Sequence, residues 1–312
     1  MASAPPPTPP TRDLGIGSRV AQSATGRMLN RDGTFNVSRT GLPFWESASP
    51  FQWLITISWP AYYAVVVGAY LAANFLFATL YFLAGPDALH GGEGAGLHGR
   101  FADAFFFSVQ TLATIGYGRI TPYGMLPNII ATAEALVGLL GVSLATGILF
   151  ARFSRPTAKI LFSERAVVAP YQQGQALMFR IVNGRNNELT QVQATVALAF
   201  WETVDGRRVR RFEELALERP QVMLFPLHWV VVHPIDGASP MFGWSEPDAH
   251  GHDVELLIVL SAYDETFAQT VTARTSYKPA EIVWNARFTD MFQIRPGGLS
   301  TDVSKLHDIE RV

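Results

Sequence analysis

The chain has no cysteine among its 312 residues. This excludes a disulfide framework, a thiolate metal site and a cysteine nucleophile, and it leaves the redox compartment unspecified. Charge is scarce as well: Asp, Glu, Lys and Arg make up 16% of the chain and sum to a net −2. No global basic field is present to gather nucleic acid, so no nucleic-acid partner is expected. No Ser-His-Asp set, Walker loop or dinucleotide-binding glycine turn is evident, so nothing suggests an enzyme or a cofactor. The glycines of LHGGEGAGLHG (89–99) need no phosphate to explain them.

The shortage of charge is concentrated. Trp59–Gly85, WPAYYAVVVGAYLAANFLFATLYFLAG, has no Asp, Glu, Lys or Arg. As a helix it extends about 40 Å at 1.5 Å per residue, enough to cross a hydrocarbon core of about 30 Å with tilt. Its tyrosines suit the membrane interfaces. Met125–Ala151 is similar, with Glu134 as its one charge. Two spans are therefore expected, 59–85 and 125–153. The competing account, two buried core helices of a soluble protein, fits their length and near-uniform apolarity poorly. Arg27, Arg31 and Arg39 precede the first span, and Arg152, Arg155 and Lys159 follow the second. That asymmetry puts both termini of a multi-pass membrane protein in the cytoplasm.

The proline-rich opening has no apolar core of a secretory leader, and 1–42 is expected to be flexible, gaining order only by lying against the folded part. Within 43–58, Ser49 suits an N-cap and Pro50 a first helical position. Phe51, Leu54, Ile55 and Ile57 with Trp53 give an interfacial face. A slide helix along the inner membrane surface is expected there, the alternative being an N-terminal extension of the first span.

Between the spans, a polar stretch of 86–100 precedes FADAFFFSVQTLAT (101–114), which is apolar but too short to cross. Thr-Ile-Gly-Tyr-Gly follows at once. Irregular backbone at membrane depth is tolerated only inside protein or along a watery path, so the segment is expected to be re-entrant, with a pore helix over 101–113. Beyond residue 164 the pattern turns to β. RAVVAPY, ALMFRIVN, VQATVALAFW, VMLFPLHWVVV, VELLIVLSAY and TFAQTVTART are runs rich in Val, Thr, Leu and aromatics, punctuated by Asn, Gly, Pro and Asp. An all-β sandwich is expected over 164–312, joined to the second span by a linker, 154–163.

Thr114–Gly118 resembles the potassium-channel selectivity filter. The resemblance implies that the carbonyls of Thr114, Ile115, Gly116 and Tyr117, with the Thr114 hydroxyl, replace the hydration shell of K+. Glycine at 116 and 118 allows the backbone angles this requires. Tyr117 and Ile115 would brace the filter against the pore helix. One chain supplies a quarter of each oxygen ring, so a homotetramer is implied. FRIVNGR (179–185), HPIDGASPMFG (233–243), ARTSYKPAEIVWNARF (273–288), ARFSRP (151–156) and LFS (161–163) resemble segments of the inward-rectifier potassium channels, most of all their prokaryotic members. That family implies an immunoglobulin-like cytoplasmic domain that extends the permeation path. HPIDGASP is best taken as a structural turn.

The sequence also departs from the family. The linker has only Arg155 and Lys159 where eukaryotic members have a basic cluster, so phosphoinositide activation is not expected, while anionic headgroup contact stays open. The family's extracellular cysteine pair is missing. Val142 stands where strong rectifiers have an acid, so only weak polyamine rectification is expected.

Val142, Thr146 and Phe150 recur every four residues on one helix face, the expected cavity lining, with Phe150 the expected hydrophobic gate or else a packing residue. Glu134 supports the filter through the pore helix, is protonated, or only fixes helix packing. Gln110 is a second candidate brace. Gly138, Gly141 and Gly147 serve as a hinge or as close-packing positions. Trp53, Arg152, Arg155 and Lys159 are expected to meet lipid or to couple the domain to the gate. His228 and His233 fall on opposite faces of a strand and are taken as structural rather than as metal ligands. Two rivals remain: a weakly selective cation channel, and a membrane-anchored β-sandwich receptor with an inert pore.

Overall fold

In a computed structural model, residues 26–37, 49–154, 159–185, 187–225, 227–295 and 298–312 are described. The chain forms two compact units, residues 40–155 and residues 1–39 with 156–312.

In the helical unit, α1 (Pro50–Thr56) starts where Ser49 Oγ accepts from the Gln52 N–H at 3.3 Å, with Pro50 in the first turn. Ile57 and Ser58 are extended, so α1 is separate from α2 (Trp59–Leu83), and Pro60 sits in the first turn of α2, where no N–H is needed. The helix covers less than the expected 43–58, of which 43–48 lie outside the described residues. Short strands β1 (Leu89–His90) and β2 (Thr121–Pro122) pair antiparallel and close the loop that contains α3 (Gly96–Leu112). The pore helix thus opens five residues before the expected Phe101. Asp103 Oδ2 accepts from the Gly94 N–H at 2.8 Å, folding the preceding loop back over this extra turn. α4 (Met125–Phe153) completes the unit.

Both α2 and α4 are long and apolar enough to cross a membrane, yet their most apolar windows are only 22% and 17% buried. Core helices of a soluble protein bury most of their surface; these do not. The buried cluster of this unit joins Phe77, Ala78 and Tyr81 of α2 to Ala104, Phe107 and Leu112 of α3 and to Ile120, with Ile130 and Ala131 of α4 partly buried against it. Tyr81 is part of this core, and Tyr62 is buried as well, its hydroxyl donating to Ala145 O at 2.9 Å. These two tyrosines pack inside the helical unit.

The second unit is a sandwich of two five-stranded sheets. One has the order β11 (Gln269–Tyr277), β10 (Glu255–Asp264), β6 (Leu189–Val204), β7 (Arg207–Glu214), with β8 (Gln221–Leu224) also on β6. The other runs β12 (Ile282–Trp284), β4 (Ala166–Tyr171), β5 (Gly174–Asn183), β3 (Ile160–Phe162), with β9 (His228–Ile235) also on β5. Alternate residues of both sheets, among them Val168, Phe179, Ile181, Val196, Leu198, Leu256, Ile258 and Leu260, share one core.

Three expectations change here. The linker expected over 154–163 gives Ile160–Phe162 to the sheet as β3, paired with β5, while 155–158 lie outside the described residues. VMLFPLHWVVV is two strands, β8 ending at Leu224 and β9 beginning at His228. Pro226 in that run has no N–H for a ladder. β7, RRVRRFEE, was not anticipated. It is the second arm of a hairpin whose turn, Asp205-Gly206, has φ of 53° and 77°.

The N-terminal segment is also ordered over residues 26–37. Met28 and Leu29 are buried with Ala197, Ala199, Phe212 and Leu257, and their N–H groups donate to Glu255 Oε1 at 2.8 and 3.1 Å. Arg31 donates to the carbonyls of Ser163 and Glu164. At the other end of the chain, Met291 and Leu306 bury against Val182. Arg180 donates to Thr289 O and lies 4.6 Å from the Phe288 ring; its burial pushes the guanidinium down to about 10.

Candidate ion pathway

The loop after α3 carries the chemistry. Thr114, Gly116 and Gly118 have φ of 54°, 60° and 78°, so every second residue is in the left-handed region. For glycine this conformation is free of strain; for Thr114 it is not, and β-branched residues there are genuine outliers. The start of the loop hangs from one oxygen: Gln110 O accepts from the N–H of Ile115 at 2.8 Å and of Gly116 at 3.3 Å. The main chain of Gln110 thus meets the loop. Ile115 and Tyr117 are 48% and 75% exposed in the single chain. A Cβ at Gly116 or Gly118 would meet nothing within 4 Å.

On α4, Val142, Thr146 and Phe150 lie along one uncovered face, with Val142 63% and Phe150 72% exposed. Of the three glycines, Gly138 is a close-packing position: a Cβ there would come within 2.2 Å of Leu112 O. Gly141 and Gly147 have open space around them.

Behind α3 lies a buried polar cluster. Glu134 Oε1 accepts from Ser108 Oγ, and Oε2 accepts from the Tyr81 hydroxyl at 2.6 Å. Ser108 Oγ is also 3.2 Å from Asn74 Oδ1. Sequence reasoning found Glu134 and missed Ser108, Asn74 and Tyr81. The available signal was Asn74, the one amide in the apolar run of α2.

At the far end of α4, Arg152 is 9% exposed. Its guanidinium donates to Leu54 O and, at 2.8 Å, to Ile57 O, and it stacks on Trp59 and Tyr62 at 4.5 and 4.7 Å. It is engaged with protein, not turned outward to lipid. Trp53 and Lys159 are exposed, and Arg155 lies outside the described residues. His233 is held by Ala216 O and Ser239 Oγ at 2.7 and 2.8 Å, fixing the HPIDGASP turn. The His228 ring packs 4.5 Å from that of Phe292. Among the described residues no group of three or more His, Asp or Glu gathers to hold a metal ion.

An ion-channel family matches residues 54–155, and the inward rectifier potassium channel C-terminal domain matches 160–312. The chain is 39% identical over 287 residues to the inward rectifier potassium channel Kirbac3.1 of Paramagnetospirillum magnetotacticum, covering 91% of this chain and 95% of that one. It belongs to the inward rectifier potassium channel family. Eukaryotic relatives are more distant. The chain is 28% identical to inward rectifier potassium channel 18 of Homo sapiens and to ATP-sensitive inward rectifier potassium channel 12 of Bos taurus. These matches cover 83% of this chain and 64% and 65% of theirs. As an inward rectifier the protein is a membrane-embedded potassium channel and not an enzyme, which removes the inert receptor from contention.

Proposed function

We propose that four copies of this chain surround a potassium-selective pore whose filter is Thr114, Ile115, Gly116, Tyr117 and Gly118. The observation that carries this reading is the alternation of left-handed φ at 114, 116 and 118 directly after a helix too short to span. Alternating handedness turns successive carbonyls to one side, and fourfold repetition makes stacked oxygen rings that offset dehydration of K+. K+ is the permeant ion at Thr114, Ile115, Gly116 and Tyr117, and no cofactor takes part. The exposed Ile115 and Tyr117 are covered by neighbouring copies in this arrangement.

Val142 and Thr146 line the cavity below the filter, and Phe150 is the hydrophobic gate. The absence of an acid at Val142 gives weak polyamine rectification. Glu134 supports the filter through Ser108 on the pore helix. The chain sits in the bacterial inner membrane with both termini and the β-sandwich in the cytoplasm. Trp53 and Lys159 meet the lipid boundary, where anionic headgroups are the partners and the charge of Arg155 adds to the attraction, and Arg152 couples α1 to the gate.

The test is rubidium uptake into liposomes carrying the purified chain, with sodium and barium competition, for the wild type and Phe150→Ala. The expected result is barium-blocked uptake that sodium does not compete, raised severalfold by Phe150→Ala. Sodium competing as well as rubidium overturns the selective filter. Intact tetramers that pass nothing in either form overturn the pore.

A further inference from the structure

The last turn of α3 ends where the filter begins, and its position is set from two sides. On the α4 side there are two rungs. Ser108 Oγ donates to Glu134 Oε1, and Leu112 O lies against Gly138, where a Cβ would come within 2.2 Å. Residues 108 and 112 are one turn apart on α3, as are 134 and 138 on α4, so each helix offers a single face to the other. Gln110 lies between the rungs, and its carbonyl receives the N–H groups of Ile115 and Gly116. The filter therefore begins from an oxygen bracketed by two fixed points.

The second side is α2. The Asn74 amide nitrogen donates to Tyr70 O at 2.7 Å, which fixes the amide orientation and directs Oδ1 at Ser108 Oγ, 3.2 Å away. Tyr81 grips the other Glu134 oxygen. Asn74, Ser108 and Glu134 are each 0% exposed. A buried amide in an otherwise apolar helix is costly unless its hydrogen bonds are made, and this one turns its acceptor to the pore-helix Ser108 hydroxyl, whose single hydrogen it shares with Glu134 Oε1.

We infer that Asn74 and Ser108 are positioning residues for ion selection. Through them the outer helix fixes the depth and tilt of the last pore-helix turn, and with it the spacing of the oxygen rings. The inference rests on the reading of 114–118 as the filter. Neither side chain touches the ion; both act through Gln110 O and the loop it holds.

The experiment measures the ratio of sodium to rubidium uptake in liposomes carrying the full chain. The variants are Asn74→Ala, Ser108→Ala, their double, Ser108→Thr and Tyr81→Phe. The ratio is a property of each open pore and does not depend on how much protein survives, so a merely structural role leaves it unmoved. Loss of one net hydrogen bond predicts a rise of about fivefold in the ratio for Asn74→Ala, and at least that for Ser108→Ala, which takes the hydroxyl from both Asn74 and Glu134. The double is expected to rise no further than the larger single, because the two share one contact. Ser108→Thr, which keeps the hydroxyl, should restore the ratio. If an alanine variant fails to assemble, Tyr81→Phe, which removes one hydrogen bond from the same carboxylate and keeps the ring, gives the same reading. Tetramers of these variants with the wild-type ratio overturn the inference while leaving the channel reading intact. A wild type without barium-sensitive uptake overturns the channel reading first.

Discussion

Glu255 shows how much one residue carries. Its carboxylate is fully buried and receives the N–H groups of Met28 and Leu29, the Arg210 guanidinium at 2.8 Å and, at 3.7 Å, the Lys278 ammonium. Removing one partner of a buried ion pair leaves the other uncompensated, which typically costs about 3–5 kcal/mol. Glu255→Ala should therefore lower the stability of the sandwich by about that amount and free residues 26–37, measured by denaturant unfolding and by protease cutting near Arg27. None of this was legible beforehand: a Glu at the start of VELLIVLSAY marks a strand edge equally well, and Met28 and Leu29 lie more than 220 residues away. Thr114–Gly118 is the opposite case. Its chemistry is local, with glycines at fixed spacing between two spans, so five letters and their setting convey it. The hydrogen bonds behind it join three helices and leave only faint marks, a lone Asn74 and a lone Glu134 in apolar runs.

Elements were legible where burial alternates with exposure and illegible where a charged side chain occupies a buried position. β7 went unseen because Arg210 sits at an inward place in RRVRRFEE, although Asp205-Gly206 announced its turn. The start of α3 was misplaced because Asp103, rather than an apolar pattern, secures its first turn. For α1 the deciding contact comes from another element. Its last carbonyls have no intrahelical donors, and Arg152 supplies two from a planar fork set against Trp59 and Tyr62. A lysine keeps the charge but not the fork. Arg152→Lys should speed amide exchange over Pro50–Ile57 by about tenfold or more, the loss of one charge-assisted hydrogen bond, with exchange in α3 unchanged.

At the scale of the molecule, two histidines make stability depend on acid. His233 is held neutral by burial, opposed by Ala216 O and Asp236, and His228 by burial and the neighbouring Arg180, opposed by Asp290. Both are lowered in the folded chain, so unfolding takes up protons as pH falls below about 6.5, the value of a free histidine. Stability is full above that pH and declines below it, with a slope of at most about 1.4 kcal/mol per pH unit for each histidine. A chain carrying His228→Gln and His233→Gln should show a flatter acid limb in thermal unfolding between pH 7 and 5; an unchanged limb would assign the loss to carboxylates. The division of the chain has a separate result for the order of events during synthesis. Residues 40–155 interrupt the sequence of the unit that surrounds Glu255. Met28 leaves the ribosome 227 residues before the carboxylate that will hold it, a wait of about 10–45 s at 5–20 residues per second. Both membrane helices are made within that interval, so the amino-terminal strap can close only after the two spans have been synthesised.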